Sequence, residues 1–589
     1  MNIAYLYGNE DPQRFQFVPI VIGVSGHRDI PAEDIPALKE SIKGELNKFR
    51  DRCPNSPLLL VTGLAEGADR LVVQCALELN GSEPEKTRWW SIGAVLALPK
   101  AEFERDFESE TSLAEFRELL AKCAWIQEVS PSGTSKPKCY ELVGNRLAMQ
   151  AQWLIALWDG KESDKKGGTA CVVRLFREGI KPPRPILPDT GPVVHILTRR
   201  QSNLTETDMQ RVGFTNDLPP DPLGTGGSDK DIARWLTVLD RIDEFNCRIR
   251  KLKDSDLEGI RNCRAHLNAG QALNDKELTV PALRSSWLQA TADYLAMKAQ
   301  KRRNLQFRVV LVLAVAGLNL EQYYSGPAEG EGWIIAIWLL LAILFGALAL
   351  VVTTLPRLNA EARYLDYRSL AEACRVQYFW RRSGIDKCAA DFHLFDQRDE
   401  LEWIRQAVRS TELGATEPQE PIRGDRLKNV LDCWITDQIN YYSGRTGFLF
   451  HKNRATFLNK LALFFLALAG VVMAATFVVQ LLSTTDLVKW LQFVYGMLLT
   501  WAGATKVYLE VQGHDKHAKS YLRAKQSMEI AEKMISEELS QPPQPGDQSS
   551  KEERDGGTQK LLFEIGREAL DENGDWVLLH RERPIRLPI

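Results

Sequence analysis

At 589 residues the chain is long enough for several domains, and its Lys+Arg and Asp+Glu nearly cancel, to a net charge of −3. That balance excludes a basic surface of the kind that holds nucleic acid. Ten cysteines, with no C-x-x-C pair and no His/Cys ligand spacing, suit reduced cytosolic thiols and argue against zinc; no metal and no resident cofactor is expected.

In chain order, short apolar runs alternate with helical stretches from Pro19 to about Arg200. Ile20–Gly23, Leu58–Thr62, Ala94–Leu98, Trp125–Val129, Trp153–Trp158 and Val193–Leu197 read as strands. The alternation predicts an α/β, Rossmann-like, doubly wound parallel sheet over residues 1–215. Two of the strands run into glycine-bearing turns that open helices, Val24-Ser25-Gly26-His27-Arg28-Asp29 and Gly63-Leu64-Ala65-Glu66-Gly67-Ala68-Asp69. Such turns lie at the strand C-terminal edge, where helix N-termini present unpaired N–H groups to an anion and glycine lets the backbone come close.

Gly144-Asn145-Arg146 is read as the start of a further helix. Gly167-Gly168-Thr169, after the strand that ends at Asp159, reads as a second phosphate cradle, with Arg28 and Arg146 as cationic partners. His27 is taken as a binding residue, because no carboxylate-and-nucleophile pattern accompanies it; no catalytic residue is assigned. Plainer readings stand beside these. Gly26 and Gly63 could serve tight turns, Asp69 a helix dipole, and Glu66 and Arg146 could be solvated side chains.

Together these motifs resemble the SLOG superfamily, the LOG/DprA-like Rossmannoid group that includes cytokinin-activating nucleotide hydrolases. Gly63–Asp69 is similar to its Ser/Thr-Gly-Leu-Ala-x-Gly-x-Asp turn, Asn145-Arg146 to its Arg/Asn helix start, and Gly167-Gly168-Thr169 to its glycine-rich loop. The resemblance covers about the first third of the chain and implies a nucleotide-derived ligand on Ser25, Gly26, His27, Arg28, Gly63, Glu66, Gly67, Asp69, Asn145, Arg146, Gly167, Gly168 and Thr169. The hydrolases continue with Gly-Thr-x-x-Glu, whereas here Ala170-Cys171-Val172-Val173-Arg174 supplies no carboxylate. Binding is carried over more readily than hydrolysis.

Beyond residue 230 the chain repeats itself: Asn304–Trp380 recurs in pattern about 157 positions later as Leu461–Glu537. Trp333 answers to Trp490, Gly346 to Gly503, Tyr364 to Tyr521 and Glu372 to Glu529. Trp333–Leu355 is uncharged over 23 residues, roughly 34 Å as a helix against a hydrocarbon core of about 30 Å. Leu461–Leu482 is a second such run, and Val309–Leu320 and Trp490–Thr505 are shorter partners. Four transmembrane helices are expected, near 305–324, 333–355, 460–482 and 487–506, in membrane domains 231–382 and 425–589 joined by a connector at 383–424. Lysines and arginines cluster on one side of all four, which with the lack of a signal-like start places the N- and C-termini in the cytoplasm and the chain in the inner membrane as a multi-pass protein. Leu218–Lys230 and Ser540–Gly557 read as linkers, with 540–557 disordered.

Heptad-spaced stripes follow each hairpin, Tyr364, Tyr367, Ala371, Cys374, Tyr378 and then Tyr521, Ala524, Met528, Ala531, Ile535. They suit packing either within the chain or between subunits. Gly496, Thr500 and Ala504 give the fourth span a small-residue face, and Asn319 and Gln492 suggest that the first and fourth spans border a pore.

This half resembles the SLATT families of two-helix membrane effector domains. The matching residues are Trp434-Ile435-Thr436-Asp437-Gln438 with Tyr441-Tyr442, the hairpins, Tyr364–Glu372, and Gly566-Arg567-Glu568-Ala569-Leu570 with Asn573, Trp576, Arg583 and Pro584. The resemblance implies an antiviral, pore-forming or membrane-disrupting effector of bacterial conflict systems. The expected partners are a nucleotide-derived second messenger, the lipid bilayer, further copies in a homo-oligomer and an enzyme that synthesises the nucleotide, without nucleic acid. The alternative is a membrane-tethered nucleotide or NAD hydrolase of the LOG phosphoribohydrolase type.

Overall fold

Six apolar runs form one parallel sheet: β1 Ile20–Gly26, β2 Leu58–Thr62, β3 Trp90–Leu96, β4 Trp125–Glu128, β5 Trp153–Trp158 and β6 Val193–Leu197. Their order is β4-β3-β2-β1-β5-β6. β2 and β5 are buried along their whole length, as strands covered on both faces must be. The connecting helices are α1 Ile35–Arg52, α2 Ala68–Asn80, α3 Glu110–Ala121, α4 Lys136–Gln150 and α5 Thr169–Glu178. The computed structural model describes residues 12–81, 89–107, 109–129, 133–163, 165–179, 191–203, 229–270, 272–325, 327, 334–358, 360–393, 398–415, 424–444, 447–482, 485–540 and 548–581.

Two expected boundaries move. The third strand begins four residues early, at Trp90, because the Asn80 side chain at the end of α2 accepts from the Trp89 and Trp90 amides and donates to the Trp90 carbonyl. α4 begins at Lys136, with Pro137 in its first turn, so Gly144, Asn145 and Arg146 lie inside the helix rather than at its start. Proline at a helix opening is pre-set for the turn, whereas Gly144 serves packing: a Cβ there would meet Val172 of α5 at 3.1 Å.

The chain divides into two units, Met1–Arg264 with Ala272–Thr291 and Ala373–Pro421, and Ala265–Gln271 with Ala292–Glu372 and Ile422–Ile589. Segments expected beyond the sheet domain therefore belong with the sheet. In α6, Asp229–Arg250, the Asn246 amide accepts from the Val18 N–H (3.0 Å) and donates to the Val18 carbonyl (2.7 Å). Asp243 on the same helix accepts from the Asn55 amide and the Ser56 hydroxyl, both at 2.8 Å. These residues precede β1 and β2, so α6 is pinned to the N-terminal edge of the sheet. At the other margin Gly414 packs on the Trp125 ring of edge strand β4, shielding an edge that would otherwise present open ladder groups.

The second unit is helical and carries the repeat. One copy is α7 Val280–Ser325, α8 Ile334–Leu358 and α9 Ala360–Arg382, of which the start of α7 up to Thr291 and the end of α9 from Ala373 fall in the first unit; the other is α10 Phe448–Leu481, α11 Thr485–Gln512 and α12 His514–Ser540. Val280–Ser325 and Arg426–Leu481 are long and apolar enough to cross a membrane, with mean hydropathies of 1.3 and 2.6 over windows only 17% and 11% buried. Ile335–Leu350 is a shorter apolar helix. The copies differ before the hairpin: Trp287 and Tyr294 lie on α7 itself, whereas Asp437–Ser443, with Tyr441, is separated from α10 by a break that includes Gly444 and Gly447.

The heptad stripes are covered: Tyr367, Ala371, Cys374, Tyr378, Ala524, Met528, Ala531 and Ile535 are all buried within the single chain. A last helix, α13 Gln548–Arg581, includes residues 548–557, which were expected to be disordered. Trp333, Arg583, Pro584, residues 218–228 and 541–547 lie outside the described residues.

Candidate functional site

The strand order reverses between β1 and β5, and in an open α/β sheet ligands bind at that point, outside the strand C-terminal ends. Ser25, Gly26, His27 and Arg28 leave β1 there, Gly63–Asp69 leaves β2, and Asp159 follows β5. The His27 amide extends the ladder to the Leu157 carbonyl (3.0 Å), and its own carbonyl accepts from the Ala68 amide at the start of α2 (2.9 Å). The two turns are pressed together: a Cβ on Gly26 would lie 2.3 Å from that of Ala68, and one on Gly67, whose φ is +78°, 2.3 Å from the Arg28 carbonyl oxygen.

His27, 9% exposed, points across to β5. Its Nε2 lies 3.0 Å from the Asp159 backbone nitrogen and 3.2 Å from Asp159 Oδ1. One ring nitrogen cannot serve both. Unprotonated, Nε2 accepts from the amide; protonated, it donates to the carboxylate. Burial pushes the Asp159 carboxyl up, but the His27 hydrogen bond, the Lys161 amide and the nearby positive charge outweigh it and hold the group below the usual range. Asp159 is thus the carboxylate that sequence reading did not give to His27, although the strand was seen to end on it.

The Gly63–Asp69 turn mostly satisfies itself. Asp69 Oδ2 accepts from the Thr62 hydroxyl (3.0 Å) and the Ala65 amide (3.4 Å), while the Leu64 amide donates to Thr62 Oγ1 (3.1 Å). Asp69 is 6% exposed, and burial pushes its carboxyl up to about 6 against the lowering effect of these hydrogen bonds and of Arg28. It shapes the turn. Glu66 accepts from the Ser112 hydroxyl, and Arg70 from the same turn reaches Ser112 and Glu115.

The Gly167-Gly168-Thr169 turn is more open to an anion. Gly168 caps α5 without a side-chain hydrogen bond, so the first-turn amides of that helix have no intrahelical acceptor. Gly167, at φ +72°, sits so close to α4 that a Cβ would lie 2.6 Å from the Tyr140 backbone, and the Arg28 guanidinium lies 5.3 Å from the Tyr140 ring centroid. Tyr140 therefore brings the exposed Arg28 and the glycine turn to one place, a role that no sequence motif announced. Asn145 and Arg146 do not join them: they are the tenth and eleventh residues of α4, about 14–15 Å along the axis from its start.

In the second unit, α7 packs on α11. Gln322 Nε2 donates to Thr500 Oγ1 (3.1 Å), and a Cβ on Gly496 would lie 2.8 Å from the Gln322 side chain. Tyr323 stacks at 6.0 Å on Trp490 and 5.7 Å on Phe493. The small face of α11 thus receives a glutamine that sequence reading passed over, with Ala504 half-buried beyond it. Asn319 and Gln492 part company. Asn319 Oδ1 is shielded and has no hydrogen-bond partner among the described residues, whereas Gln492, one turn before Gly496 on α11, is exposed. Among the described residues no cluster of His, Cys, Asp and Glu could hold a metal ion. Compared with known proteins, the chain matches no family model and no curated protein.

Proposed function

We propose that the chain is a membrane effector in which the sheet binds a nucleotide-derived signal at the β1/β5 edge and so controls the helical hairpins, opening a pore or disrupting the inner membrane in a SLOG-plus-SLATT arrangement of bacterial antiviral defence. The observation that carries this reading is one chain holding both a switch-point crevice, with Arg28 and the uncapped start of α5 beside Tyr140, and apolar helices whose membrane-length windows are largely uncovered. In this reading α7, α8, α10 and α11 are four spans, the shorter apolar runs of α7 and α11 being supported by their pairing with α8 and α10, and the active form is a homo-oligomer. A nucleotide-synthesising enzyme supplies the signal. Binding must favour one arrangement of the helices, since a ligand with equal affinity for both shifts nothing. The test is mass spectrometry of small molecules retained by the purified protein, with Arg28→Ala as control, followed by dye leakage from vesicles on adding the identified compound. Retention of no anionic metabolite, or leakage indifferent to it, rejects the proposal.

The hydrolase reading keeps one observation in its favour, the His27–Asp159 pair, which could hold a base in place as a carboxylate does in other sites. It predicts free base released from nucleotide or NAD by the purified chain and lost in His27→Ala.

A further inference from the structure

The break between the Asp437–Ser443 helix and α10 opens a cleft of about 630 Å³ lined by Ser443, Gly444, Leu449, Phe450, Asn453, Arg454 and Phe457. The break is built in: a Cβ on Gly447 would lie 2.1 Å from the Tyr442 carbonyl oxygen. The cleft mixes two chemistries. Leu449, Phe450 and Phe457 are 55%, 44% and 56% exposed, an unusual amount of uncovered apolar surface to keep beside water. Arg454 stands among them, exposed, and makes no ion pair with any described residue. From Phe457 the uncovered apolar path continues along α10 through Phe464, Leu468 and Val471. Arg454 lies seven residues before Leu461, about 10 Å above the start of the uncharged run, at the depth of lipid phosphates.

We infer that this cleft is a binding site for an anionic phospholipid of the cytoplasmic leaflet, with Arg454 holding the phosphate, Asn453 and Ser443 offering hydrogen bonds to the headgroup, and an acyl chain lying over Phe457 toward Phe464. Charge complementarity selects the headgroup, and continuity with the apolar face of α10 selects a lipid over a free anion. The inference rests on α10 being a membrane span and is independent of which signal the sheet binds.

The experiment reconstitutes the full-length protein into nanodiscs of phosphatidylcholine with a minority of phosphatidylglycerol, and then measures by mass spectrometry which lipids stay with the chain after detergent extraction. The wild type is expected to enrich phosphatidylglycerol, and Arg454→Ala to lose roughly fivefold of that preference, with Arg454→Lys keeping much of it. Soluble glycerol phosphate, which has the headgroup without the chains, should not compete. Equal retention of both lipids by the wild type, an unchanged preference in Arg454→Ala, or full competition by glycerol phosphate overturns the assignment. Extraction of membranes with alkaline carbonate, applied to wild type and Arg454→Ala alike, reports separately on the span: release of both means that α10 is not embedded, whereas retention of both with loss of preference supports the site.

Discussion

His27 and Asp159, 132 positions apart in sequence, meet across the β1–β5 junction through a single imidazole nitrogen that faces both the backbone N–H and the carboxylate of the same aspartate. The arrangement has two hydrogen-bonded forms, distinguished by one proton on Nε2 and by which Asp159 group it engages. Because the Asp159 carboxyl is held below its ordinary range, its contribution to stability is present above the unfolded value near 3.8 and is lost as pH falls through the still lower folded value. Asp159→Asn should therefore remove part of the acid sensitivity below about pH 4 while leaving neutral-pH stability within roughly 1 kcal/mol. Equilibrium unfolding of both proteins across that range checks it, and His27→Ala should in addition lower ligand retention.

Asp69 has the opposite sign. Its carboxyl is pushed up to about 6 by burial, so between about pH 4 and pH 6 the folded chain holds a proton that the unfolded chain has released, and stability falls as pH rises through that window. The full effect is at most about 3 kcal/mol. Asp69→Asn should flatten that part of the pH profile, with the gap between variant and wild type widening from pH 4 to 6 and constant above. A parallel pair of profiles in urea unfolding rules this out.

Asn246→Ala strips partners from the Val18 N–H, the Val18 carbonyl and the Ser56 hydroxyl, all in buried surroundings. Unpaired buried polar groups cost about 1–3 kcal/mol each, partly offset where water enters, so a loss of roughly 2–4 kcal/mol is expected. Thermal unfolding of the sheet, followed by the fluorescence of its buried tryptophans, should move down accordingly.

Gln322 and Gln492 should respond differently to leucine. Gln322→Leu breaks the bond to Thr500 and crowds Gly496, costing about 0.5–1.5 kcal/mol by the measured range of interhelical bonds in bilayers. Gln492, exposed one turn before Gly496, should tolerate leucine with no loss. Unfolding in mixed detergent micelles compares the two, and equal effects would show that α7 and α11 do not pack as described.

Much of the architecture was legible before any coordinate. The central strands β2 and β5 are short runs buried along their whole length, because a parallel strand covered on both faces has no polar side to show, whereas edge strand β4 carries Gln127 and Glu128. The long apolar helices were legible because they are set by uncharged runs that need no distant partner to be recognised, and two of them are long and apolar enough to cross a membrane. The glycine turns at Gly26, Gly67 and Gly167 also announced themselves, since close backbone approach leaves room for little else. Arg146 was misplaced because glycine more often ends or opens a helix than sits inside one, and only the neighbouring Val172 explains Gly144.

What local sequence determined about this protein, then, is its list of parts: strands, turns, apolar helices and their duplication, all set by periodicity and side-chain volume within a few residues. Tertiary structure alone decided which distant groups meet. Strand order placed Asp159 beside His27, and burial gave Asp69 the Thr62 hydroxyl and the Ala65 amide of its own turn as partners. Helix packing set Gln322 against Thr500 and left Gln492 exposed. These depend on register, order and rotation, which are fixed by the summed packing of many side chains and leave no mark on any short stretch of chain.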